Sequence, residues 1–204
     1  MSGLAFLAAS WQRLLPWFIS LTAIAWFAVS FKDPASSQSF FILLLGIYMV
    51  HQVEEHLWPG GFRSFANAEI FHSGRDDWPL TKGGVALVNI GYVWLPCLAA
   101  AMFPQTLYLL GAAWMGLTFV NAISHIATSV RLHKYNPGLC TSIVLFLPLT
   151  GWFFTYEYAV GALDVANVAG LLVVGILLHV PIVALFVIPF RLGSRTPTAL
   201  IASK

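Results

Sequence analysis

Two short stretches hold the residue types that metal and acid–base chemistry require. In HQVEEH, His51, Glu54 and Glu55 stand at i, i+3 and i+4, so a helix presents all three on one face. His56 falls more than a quarter turn away from it. In FVNAISHIATSV, the residues Thr118, Asn121, His125 and Thr128 make a polar stripe along an otherwise apolar helix. Imidazole nitrogens and carboxylate oxygens are the donor set used for Zn or Fe.

The spacing compares loosely with the zinc motif H-x-x-E-H, in which two ligands flank a general base. On that analogy His51 and Glu55 are ligands of a divalent ion, His125 is the third ligand, and Glu54 is the catalytic base. The chain departs from the motif by ending on Glu. Two adjacent glutamates, with Arg131 as the nearby cation, are hard to neutralise without metal or protons. A structural cluster that locks helices together and a proton or cation relay stay open beside the metal reading. Asn89, Asn121 and His179 are supporting residues or further ligands, with helix–helix hydrogen bonding as their plainer role. His72 reads as a solvated loop residue and His133 as a helix-end residue.

The elements that must position these groups are membrane helices. Of the 204 residues, 59% are hydrophobic and 9% charged, and the mean hydropathy is +0.81. A soluble domain would carry roughly 25% charged residues. That balance excludes an ordinary soluble enzyme and a nucleic-acid-binding protein. Each bilayer crossing takes about 20 mostly apolar residues. Six such runs occur, at 14–31, 39–58, 83–103, 106–131, 139–157 and 166–190. They are expected to be helices because lipid cannot satisfy backbone polar groups, and runs such as GLLVVGILL lack the alternation of a barrel.

The expected fold is therefore an all-α polytopic bundle of about six transmembrane helices in one domain, 1–204. Its motif-bearing core is about 40–150 and its polar tail 191–204. The first run is too long for a signal-peptide core and is read as a span. Cys97 and Cys140 suggest no disulfide framework.

Nine of the ten basic residues share one side under six crossings, with Lys32 alone on the other. Both termini are thus expected in the cytoplasm, the protein being a multi-pass resident of a bacterial inner membrane. Counting from the inner helix ends at 1.5 Å per residue puts His51 and His125 each about 9–11 Å deep. Asn89 falls at a similar depth and His179 deeper.

The stretches HQVEEHLWPGGFRSFAN, LVNIGYVW and NAISHIATSVRLHKYNPGLCTS, taken in order, resemble recurring blocks of the HXXEE family of bacterial integral membrane proteins. The likeness covers most of residues 40–150. It carries His51, Glu54, Glu55, Asn121 and His125 onto the family's pattern without departure. The family is a domain of unknown function, so the resemblance implies no substrate or cofactor.

The residues themselves point to a membrane-embedded metal-dependent enzyme near the cytoplasmic leaflet, acting on a lipid-soluble or amphiphilic substrate. Zn would give hydrolysis through a metal-bound water, and Fe would give oxidation. A carboxylate-bridged iron pair usually takes about four carboxylates, more than the two available. A proton- or cation-coupled transporter and a non-catalytic scaffold are the alternatives, with the bilayer as the partner in every case.

Overall fold

The structure is a computed structural model, and it describes residues 10–193. The outer part of the expected polar tail, from residue 194, and the placement of both chain ends lie outside the described residues.

The described residues form six long helices with no strand among them. A 3₁₀ turn, Trp11–Leu14, leads into α1, Leu15–Ser30. Then come α2, Ser37–His56, α3, Lys82–Met102, α4, Tyr108–Leu132, α5, Leu139–Ala159, and α6, Val165–Gly193. Each matches one apolar run to within a few residues.

Five helical stretches are long and apolar enough to cross a membrane: Trp11–Ser30, α3, α4, α5 and α6. The chain is a membrane protein on that ground. The sixth helix, α2, is not among them because its last turns are His51, Gln52, Glu54, Glu55 and His56. Its polar groups face protein. Eleven of its side chains are buried, from Ser39 to Glu55, and it packs against both α1 and α3.

Local chemistry sets these boundaries. The Ser36 hydroxyl accepts the Ser39 amide at 3.2 Å and starts α2, a cap worth about 1 kcal/mol. The core is aromatic where α2 meets α5, with the Phe40 and Phe153 ring centroids 5.2 Å apart. Gly111 of α4 lets the Phe41 ring lie directly on its backbone.

The α4–α6 crossing is closer still. A Cβ on Gly175 would sit 2.5 Å from the Gly116 backbone, the small-residue contact by which helices associate in lipid. Among the described residues, α3 and α5 each contain a widened π segment, Leu87–Trp94 and Ser142–Phe146, just before a proline. Pro96 has no amide for the Tyr92 carbonyl four residues back, and the Trp114 indole N–H donates to that carbonyl instead, at 3.1 Å.

Candidate metal centre

The i, i+4 spacing on α2 stacks His51 above Glu55, and α4 brings His125 to the same point. Glu55 Oε1 lies 3.6 Å from His51 Nε2 and 3.5 Å from His125 Nε2. The two imidazole centroids are 4.9 Å apart and the rings nearly perpendicular. One ligand atom from each of the three residues falls within 4.8 Å of the others, and all three side chains are buried. Tetrahedral coordination with bonds of about 2.0–2.1 Å separates ligand atoms by roughly 3.4 Å. The two nitrogen–oxygen distances already match that scale.

Hydrogen bonds on the far side of each ring fix which nitrogen carries the proton. Thr141 Oγ1 donates to Glu54 Oε2 at 2.5 Å and lies 2.8 Å from His51 Nδ1. The hydroxyl proton being committed to Glu54, Nδ1–H donates to Thr141 and Nε2 is left bare. Nε2 of His51 has no hydrogen-bond partner among the described residues. The Asn136 amide nitrogen donates to the His125 carbonyl and to Ser129 Oγ, both at 2.8 Å. Its oxygen therefore faces His125 Nδ1, 2.5 Å away, and His125 Nε2 is bare as well. Two nitrogen lone pairs and a carboxylate oxygen converge with no hydrogen between them. A bound cation, or one further proton on either ring, would reconcile three such acceptors in a buried site, and orienting partners on the second ring nitrogen are the usual companions of metal-binding histidine.

The residues that do this orienting lie in the turn between α4 and α5. His133, in a left-handed conformation, ends α4. The chain then folds inward so that Asn136, Pro137 and Gly138 are buried. Gly138 has φ +104°, and a Cβ there would meet His125 Cε1 at 2.5 Å and His51 Cε1 at 2.8 Å. Only glycine fits between the two rings.

Glu54, expected as the general base, is held by four donors. Its carboxylate accepts from the Tyr135 hydroxyl at 2.6 Å, the Cys140 amide at 2.9 Å and the Thr141 amide at 2.7 Å, besides the Thr141 hydroxyl. The two amides are orphan donors of the α5 N-terminus, where a negative charge is favourable. Burial first, and then its bond to the Glu54 carboxylate, push the Tyr135 phenol above its ordinary range, so it remains a donor.

His56, read as pointing away, is part of the site. Its Nε2 lies 3.5 Å from Glu55 Oε2 and 3.2 Å from Asn89 Nδ2. The Trp94 indole donates to Gln52 Oε1 at 2.7 Å, and Gln52 Nε2 donates to Asn89 Oδ1 at 2.8 Å. That chain turns the Asn89 amino group toward His56, whose Nε2 is then an acceptor. Arg131 is exposed and does not sit among the buried carboxylates.

Beside the three-residue cluster lies a cavity of about 220 Å³ lined by Glu55, His56 and His125 and also by Asn89, Asn121 and His179. The three residues expected to support the site thus line the same space as Glu55 and His125 without joining the cluster. His56, Thr141, Asn136 and Gly138 were missed as site residues. The signal for Asn136 and Gly138 was the YNPG turn at 135–138, which marks an inward fold only once its contacts are known, and Thr141 follows in the first turn of α5.

A family described as "Protein of unknown function with HXXEE motif" matches residues 42–153. The chain belongs to the HXXEE family. The matched stretch contains His51, Glu55, His125 and the turn that orients the two histidines. No curated protein and no solved structure matches the chain.

Proposed function

We propose that this HXXEE protein is a membrane-embedded metal-dependent enzyme. The observation that carries the reading is the convergence of bare His51 Nε2, bare His125 Nε2 and Glu55 Oε1 in a buried site beside a cavity. Three protein ligands leave a coordination position open, which separates catalytic from structural zinc sites. With Zn, the ion would lower the pKa of a bound water and support hydrolysis; with Fe, open positions would support oxidation. His56 lines the cavity beside the cluster with its Nε2 held by the Asn89 amino group, and Glu54 holds α5 and the His51 tautomer in place.

The substrate is lipid-soluble or amphiphilic and enters from the bilayer. The protein is read as a six-span resident of the bacterial inner membrane with both ends cytoplasmic, α2 crossing inside the bundle. A proton or cation pathway would need polar groups continuing across the membrane. Toward its start, α2 turns instead to Phe40, Phe41 and Leu44, all fully buried.

Elemental analysis of the purified protein tests the proposal. About one equivalent of Zn or Fe is expected in the wild type, and loss of it in His51→Ala, Glu55→Ala and His125→Ala. Wild-type protein that is metal-free, and stays so after incubation with Zn or Fe, overturns the enzyme reading.

A further inference from the structure

The cavity holds two buried acceptors that the metal centre does not use. His179 Nδ1 lies 2.8 Å from the Gly175 carbonyl, one turn back on α6. A carbonyl only accepts, so Nδ1 carries the proton and Nε2 is a bare acceptor. Asn121 donates its amino group to the Tyr48 hydroxyl at 3.1 Å, and its oxygen is the remaining acceptor. Both His179 Nε2 and Asn121 Oδ1 are buried without a partner among the described residues. Asn121 precedes His125 by one turn, so its amide lies on the ligand-bearing face of α4. The Gly116–Gly175 contact seats the turn of α6 that carries His179 against α4. Unpartnered acceptors in a membrane protein interior are costly, and a ligand bearing hydrogen-bond donors removes that cost.

The same cavity lies next to a groove that faces hydrocarbon. Val88 and Ile182 line both it and a second cavity of about 370 Å³ between α3 and α6, completed by Leu87, Gly91, Tyr92 and Leu185 among others. Leu87 and Leu185 are exposed on membrane-spanning helices, so this groove faces lipid. Pro181 lies inside α6 here, and the Tyr92 hydroxyl donates to the Leu178 carbonyl at 2.9 Å close by. An apolar groove adjoining a cavity whose lining residues carry two acceptors suits a molecule with a hydrocarbon chain and a donor-bearing head.

We propose that the cavity selects a long-chain lipophile whose head carries O–H or N–H donors, an aliphatic alcohol or its amine counterpart. The chain lies in the α3–α6 groove and the head donates to His179 Nε2 and Asn121 Oδ1. An ionised carboxylate head brings only lone pairs and is rejected by these two atoms. The enzyme reading is needed only for what the ion then does to the head, and recognition itself does not require the ion.

The test is binding of tritiated 1-dodecanol to the full chain in lipid nanodiscs, before and after chelation of metal, with empty nanodiscs as background. Saturable binding is expected in both states, with dodecylamine competing and dodecanoate and dodecane not competing in the chelated protein. His179→Leu and Asn121→Leu should each weaken binding at least ten-fold in protein that thermal unfolding shows to be folded. Ile182→Trp should block the groove without touching either acceptor. Dodecanol binding that is absent, or unaffected by both leucine variants, overturns the proposal, as does equal competition by dodecanoate in the chelated protein. Metal content is measured on the same samples. A metal-free protein that still binds dodecanol retires the enzyme reading alone, and a metal-loaded protein that does not bind it retires the alcohol or amine head alone.

Discussion

Replacing Gly138 by alanine tests whether the two histidines form one ion site. The added methyl would stand 2.5 Å from His125 Cε1, 2.8 Å from His51 Cε1 and 2.9 Å from His125 Nδ1. Ordinary contact begins near 3.4 Å, so the His125 ring has to move by roughly 1 Å, against a metal–ligand tolerance of about 0.2 Å. Partners that merely orient a ligand are worth 10–100-fold in metal affinity, so direct displacement of two ligands should cost at least about 100-fold, or roughly 2.7 kcal/mol. The substitution also places a side chain at φ +104°, a conformational cost of about 1–2 kcal/mol in its own right. Gly161→Ala isolates that second cost, because Gly161 has φ +75° and an added Cβ there meets nothing within 4 Å. Zn affinity by competition with a chromophoric chelator, and thermal unfolding in detergent, are the two readouts. Both variants should lose stability, and only Gly138→Ala should lose affinity. A folded Gly138→Ala protein that binds Zn as tightly as Gly161→Ala refutes the shared site.

Three further outcomes follow from the same contacts. Thr141→Val keeps the side-chain shape but removes the hydroxyl between His51 and Glu54, so Zn affinity should fall about 10–100-fold with the fold retained; unchanged affinity would show that the hydroxyl does not set the His51 tautomer. Glu54→Gln places an amino group among four donors at the start of α5, and should lower stability by about 2–4 kcal/mol in detergent unfolding; a general base with no structural task would leave stability unchanged. The raised Tyr135 phenol keeps its proton in the folded protein after the unfolded chain begins to lose it near pH 10.0. Its contribution is therefore complete below that pH and declines above it, so the stability difference between wild type and Tyr135→Phe should be flat from neutrality to about pH 9 and move against the wild type beyond.

The helices were legible because lipid imposes one rule on every residue of a span. A run such as 166–190 reads as helix whatever its neighbours do, and α6 spans Val165–Gly193. Depth counting also brought His51 and His125 together, since both helices end at the same face. Local spacing could not separate Glu54 from Glu55. Both positions share a helical face with His51, and the choice between them is made by amides at Cys140 and Thr141, more than eighty residues later. His56 was misread for a related reason. Facing away from one helix neighbour matters only when the other side is lipid, and α2 has protein on both sides. Asn136 and Gly138 belong to a turn, where no periodicity announces which side chain returns to the bundle.

The order in which the chain emerges divides the proposed head site from the three-residue cluster on one side only. Every residue of the cluster, and every group that sets the proton of its rings, lies between His51 and Thr141. One wall of the groove and His179 belong to α6, which starts at Val165, beyond the stretch matched to the family, whereas Asn121 and the α3 wall lie inside it. During synthesis the cluster and its orienting turn are made before α6 begins. Across descendants of this architecture, a changed last helix could alter half of the proposed head contacts while leaving the cluster residues in place, so the two can evolve at different rates.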